Sequence, residues 1–145
     1  MKRALAALAA FTLLAIPVVH AEAWLDNYDA AVAQAKKENK LVLVDFTGSD
    51  WCGWCIKMKK DVFSKPEFNS FAKDKLVLLE LDYPQAKKLS PSVVKQNEVL
   101  QQKFKVEGFP TLVLLDGSGK ELARNSGYLP GGPDALIAWV NNAKK

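Results

Sequence analysis

Leu41-Val-Leu-Val-Asp-Phe-Thr-Gly-Ser-Asp-Trp-Cys-Gly-Trp-Cys55 passes, within a few residues, from an apolar run to both cysteines of the chain. Its first seven residues are almost continuously apolar, the pattern of a central strand buried on both faces. Gly48-Ser-Asp50 breaks that strand, and a helix is expected from about Cys52 through Lys60. A strand that leads straight into a helix sets Cys52 at the helix N-terminus. Free N–H groups and the positive end of the helix dipole there favour a thiolate over a thiol. A separation of three puts Cys52 and Cys55 on one helix face, close enough to close a small disulfide ring.

Outward from this segment, the chain alternates helical and extended patterns. Residues 24–39 repeat apolar side chains at helical spacing through Trp24, Tyr28, Ala31, Val32 and Ala35. Ser64-Lys-Pro-Glu67 has the form of a capping box with a proline in the first turn. Leu76–Asp82 is a second strand, and Ser90-Pro91 starts a helix that ends near Phe104. Thr111–Leu115 is a third strand, turned by Asp116-Gly-Ser-Gly119 into a weaker strand over 120–125. Gly131-Gly-Pro-Asp134 leads into a last helix bearing Leu136, Ile137, Trp139 and Val140. Helical crossovers between strands, with one tight turn at the end, predict an α/β three-layer fold: a mixed sheet flanked by helices.

The N-terminus is set apart. Lys2 and Arg3 precede an uncharged, mostly apolar run over 4–19, and small residues follow at Ala21 and Ala23. This is the form of a secretory signal peptide over 1–21, leaving a domain over 22–145, with cleavage after Ala23 or retention as an anchor as the alternatives. The run is shorter than the roughly 20 residues that span a bilayer. Export would place the domain in an oxidising compartment, the periplasm of a bacterium.

Composition narrows the chemistry. The 145 residues are 49% hydrophobic and 25% charged, suited to one globular domain. The formal charge of +4 includes Lys2 and Arg3, so the domain itself is only weakly basic and carries no nucleic-acid footprint. The single histidine, His20, lies in the leader. A domain without histidine excludes a Ser-His-Asp or Cys-His hydrolase and His-ligated metal sites. Redox chemistry at Cys52 and Cys55 competes with a structural disulfide, half of a zinc site and a pair of inert thiols. A four-residue ring constrains the unfolded chain little, and two thiolates alone do not complete a zinc shell. No bound cofactor or metal is expected.

Three separated segments carry a resemblance to the thioredoxin superfamily that covers nearly the whole domain: Val44-Asp-Phe46 shortly before Trp51-Cys-Gly-Trp-Cys55, Val106-Glu-Gly-Phe-Pro-Thr-Leu112, and Asp116-Gly-Ser-Gly-Lys120. The resemblance implies Cys52 as nucleophile, Cys55 as resolving thiol, Pro110 as a cis-proline beside the disulfide, and Asp45 as a buried carboxyl relaying a proton for Cys55. It places Trp51, Gly53, Trp54 and Phe109 at the substrate surface, the three aromatics as an apolar rim. The chain departs from thioredoxins in having Trp54 between Gly53 and Cys55, one extra residue between Asp45 and Cys52, Phe109 before Pro110, and a longer segment over 83–104. Together with the leader, these features resemble exported thioredoxin-like proteins. The expected activity is that of an exported, monomeric thiol–disulfide oxidoreductase acting as a reductase of protein disulfides, re-reduced by a membrane-embedded thiol carrier. The alternatives are a binding module with a permanently closed disulfide, or a disulfide oxidase or isomerase.

Overall fold

The structure is a computed structural model and describes residues 23–143. The leader over 1–21, with the cleavage point after Ala21, lies outside the described residues. Five strands form one sheet: β1 (Trp24–Leu25), β2 (Leu41–Thr47), β3 (Leu76–Asp82), β4 (Thr111–Leu115) and β5 (Glu121–Ser126), in the order β1-β3-β2-β4-β5. β2 and β3 pair in parallel from Leu41↔Leu76 to Thr47↔Asp82, whereas β4 runs antiparallel to β2 and β5 antiparallel to β4. The helices are α1 (Tyr28–Glu38), α2 (Gly53–Met58), α3 (Pro66–Lys75), α4 (Pro91–Lys103) and α5 (Gly132–Ala143), with a π-helical turn over Lys59–Phe63.

Alternation along the strands divides the interior in two. Val42, Val44 and Phe46 of β2 and Val77, Leu79 and Leu81 of β3 pack with Ala31 and Ala35 of α1 and Leu100 and Phe104 at α4. Leu43, Leu76 and Leu78 face the other way, against Met58, Val62, Phe68, Ala72, Leu136 and Val140 from α2, the π turn, α3 and α5. This is the expected three-layer arrangement around a mixed sheet.

Several local expectations are corrected. Trp24 is not helical: it pairs in parallel with Leu78 in the short strand β1, and Asn27 caps α1 by accepting the Ala30 N–H at 2.8 Å. The indole packs on Phe63 and Phe68 instead, so its helical spacing reflected burial rather than helix. Ser64 does not cap α3. Its hydroxyl donates back to the Lys59 carbonyl at 2.8 Å, closing the π turn, and Lys65 takes the N-cap position without a side-chain bond. The helix after the cysteines therefore runs on to Phe63 rather than stopping at Lys60. β5 begins at Glu121 and ends at Ser126, one residue later than expected.

Phe68 is fully buried, with ring centroids 5.2 Å from Phe63 and 6.5 Å from Trp24. Phe68→Ala is expected to lower stability by about 3–5 kcal/mol in denaturant unfolding, whereas Lys73→Ala, on the exposed side of the same helix, changes it by less than about 0.5 kcal/mol.

Candidate active site

Cys52 ends the turn that leaves β2 and serves as the N-cap of α2. Its backbone is extended, and its Sγ accepts the Cys55 N–H at 3.3 Å. The sulfurs of Cys52 and Cys55 are joined in a disulfide, with Cα atoms 5.2 Å apart. Both residues are largely covered, Cys52 at 8% exposure and Cys55 at 4%. The neighbouring Trp51, Gly53 and Trp54 are all exposed.

A cleft of about 440 Å³ connects Cys55 to the sheet, lined by Asp45 and Thr47 of β2, Glu80 of β3, Cys55 and Ile56 of α2, and Lys59 of the π turn, among others. Strand parity explains the carboxylates. Asp45 shares the α2 side of β2 with Leu43, and Glu80, its register partner on β3, shares that side with Leu78. Asp45 is 5% exposed, and its Oδ1 has no hydrogen-bond partner. Burial, reinforced by the Glu80 and Asp82 carboxylates and opposed by Lys59, pushes its pKa up to about 8. Burial also raises Glu80, with Asp82 adding to the shift.

Pro110 is buried, follows a cis Phe109–Pro110 bond and accepts the Gly127 N–H at 2.8 Å through its carbonyl. Thr111 pairs with Phe46, so Pro110 stands at the end of the sheet from which the cysteine turn departs. The expected rim of three aromatics divides into two clusters. Trp51 meets Phe109 edge-on at 6.1 Å, and Phe109 stacks on Tyr83 at 4.8 Å. Trp51 also donates its indole N–H to the Tyr83 carbonyl at 2.7 Å. Gly48 makes room for this ring, since a Cβ there would lie 2.5 Å from the indole. Trp54 joins Tyr128 instead, at 5.4 Å. Tyr128 donates to Asp61 at 2.8 Å, and Asp61 pairs with Lys57 one turn back.

The structure thus brings Asp45 and Cys55 to one cleft and Trp51 and Phe109 into one cluster, and separates Trp54 from them. Sequence reading missed Glu80, Lys59, Tyr83 and Tyr128. Parity along Leu76–Asp82 could have placed Glu80 on Asp45's side once the parallel register was known; the two tyrosines lie in loops without a periodic signal.

Comparison with known proteins accords with this geometry. A family model described as a thioredoxin-like domain matches residues 28–144. The chain belongs to the thioredoxin-like family. Disulfide bond reductase DsbH of Chlamydia pneumoniae is 39% identical over 129 residues, covering 89% of this chain and 77% of that protein. Thioredoxin-related protein DsbJ of the same organism is 34% identical over 101 residues, which are 70% of this chain but 29% of DsbJ. Among solved structures, a DsbH oxidoreductase superposes with a TM-score of 0.81 at 36% identity, covering 93% of both chains. The oxidised C-terminal domain of Neisseria meningitidis DsbD, at 19% identity and a TM-score of 0.59 over 79% of this chain and 91% of that one, shares the fold. With its Cys52–Cys55 disulfide, this thioredoxin-like chain is a protein-disulfide oxidoreductase.

In the unfolded chain Asp45 titrates near pH 4, so between about pH 4 and 8 the folded protein retains a proton that the unfolded one has lost. The linked stability is fully present below that range and is lost as the pH rises through it. Asp45→Asn, which holds no such proton, is expected to stabilise the oxidised protein by roughly 3–5 kcal/mol at pH 8.5 and hardly at all at pH 3.5. Guanidinium unfolding at the two pH values checks this; an equal difference at both would mean that Asp45 ionises normally.

Proposed function

We propose that the chain is an exported reductase of protein disulfides, in which Cys52 attacks and Cys55 resolves. One observation carries the reading: the disulfide lies between a helix N-cap sulfur and a second sulfur that lines the same cleft as the buried Asp45 carboxyl. In the reduced protein, the Cys52 thiolate attacks one sulfur of a substrate disulfide, whose other sulfur leaves and takes a proton. Asp45, in its ionised fraction, accepts the Cys55 proton through the cleft. The Cys55 thiolate then attacks the Cys52 sulfur, breaking the mixed disulfide; the released substrate sulfur takes up that proton, and Cys52–Cys55 is left oxidised. Two electrons have passed to the substrate.

The docking surface follows from the same residues. Trp51, Gly53, Trp54 and Phe109 face the partner's chain, and Pro110, with no N–H, supports close approach beside the disulfide. The name of the DsbH relative supports the direction of transfer. The charged and apolar pattern over 1–21 supports a leader cleaved after Ala21 and a periplasmic location, where the domain over 22–145 acts as a monomer. A membrane-embedded thiol carrier restores the dithiol; similarity to thiol:disulfide interchange protein DsbD over 65% of this chain supports thiol–disulfide exchange as the reaction. That match takes in 15% of DsbD.

The test is direct. The reduction potential is expected above about −300 mV, outside the range of structural disulfides, and the dithiol should reduce insulin. Cys52→Ser should abolish this activity, by at least about 100-fold, while Cys55→Ala should accumulate mixed disulfides through Cys52. A bond resistant to excess dithiothreitol, or a Cys52→Ser protein as active as the native chain, would identify a binding module instead.

A further inference from the structure

The turn that presents Cys52 is fastened to the loop after β3 by a set of bonds that the exchange chemistry does not itself use. The Asp50 carboxylate accepts three consecutive backbone N–H groups: Gln85 at 2.9 Å on Oδ1, and Ala86 at 2.7 Å and Lys87 at 3.2 Å on Oδ2. On one side of it, Ser49 donates its N–H and hydroxyl to Asp82 at 3.0 and 2.6 Å. On the other, Trp51 donates to the Tyr83 carbonyl. Lys87 returns to Asp82 at 2.8 Å, so the loop is held from both ends.

The consequence reaches the docking surface. Tyr83 opens this loop and stacks on Phe109, which meets Trp51. The Trp51–Phe109–Tyr83 cluster is therefore built from three separate chain segments, and Asp50 ties two of them together. An acceptor bearing full charge and engaging three amides is stronger than a neutral one. The carboxylate itself sits on the exposed side of the turn, with no place in the cleft of Asp45 and Cys55.

We propose that Asp50 is a positioning residue that holds the Trp51–Phe109–Tyr83 wall in register with Cys52, so that a protein disulfide is delivered to the sulfur while the sulfur's own reactivity does not depend on it. This rests on the reading of Cys52 as the attacking thiol of a protein-disulfide reductase. A preassembled wall lowers the ordering cost when a peptide docks, and a small disulfide needs no wall.

Two substrates separate the possibilities. The reduced native protein, Asp50→Ala and Asp50→Asn are compared on insulin and on hydroxyethyl disulfide. Asp50→Ala is expected to lower kcat/KM on insulin about tenfold, mainly through KM, and to leave the rate on hydroxyethyl disulfide within about twofold; Asp50→Asn, which keeps one acceptor oxygen, should fall between. Equal losses on both substrates, as general loosening of the fold would give, overturn the proposal, as does an unchanged rate on insulin. The native protein and Cys52→Ser, run alongside, test the underlying reading separately: equal activity in those two removes the reductase assignment whatever Asp50 does.

Discussion

β2 lies between β3 and β4 and under helices on both faces, so its side chains after Leu41 are buried. That enclosure governs the site. A carboxyl at position 45 must give up its hydration, and with Glu80 in register beside it the neutral form is favoured well into the neutral range. The same strand ends at Thr47, and the chain must turn at once to enter α2. The turn fixes Cys52 as N-cap and brings Cys55, one helical turn on, to the cleft that Asp45 lines. Enclosure, perturbed carboxyl and presented sulfur are one arrangement rather than three.

The interior strands were legible because burial on both faces leaves an unbroken apolar run; β2, β3 and β4 have the bounds that Leu41–Thr47, Leu76–Asp82 and Thr111–Leu115 imply. Edges were less so. Trp24 follows a helical spacing with Tyr28 and Ala31, yet backbone pairing with Leu78 and ring contacts with Phe63 and Phe68 outweigh two turns' worth of periodicity. Ser64 carries a capping-box signature, but the wider π turn offers its hydroxyl the Lys59 carbonyl first. Local motifs lose where a tertiary partner is nearer.

Site residues divide in the same way. Cys52 and Cys55 declare themselves by spacing, and Asp45 and Pro110 through resemblance to a known pattern. Glu80, Tyr83, Asp50 and Tyr128 do not, since each matters through a neighbour distant in sequence, such as Tyr83 with Phe109, Asp50 with Gln85 or Tyr128 with Asp61. No periodicity encodes such a meeting. The parity of a strand is readable from its residues, but which strand lies beside it is settled by the whole sheet.

The two aromatic clusters beside the dithiol are anchored by different forces. Trp51 is held by a hydrogen bond to a backbone carbonyl and by ring contacts, whereas Trp54 leans on Tyr128, whose hydroxyl is tied to the half-exposed Lys57–Asp61 pair. Exposed ion pairs are screened by dissolved electrolyte, and buried or neutral contacts are not. Rising ionic strength therefore weakens the ion pair behind Tyr128 and Trp54, and leaves the ring and backbone contacts of Trp51 as they are.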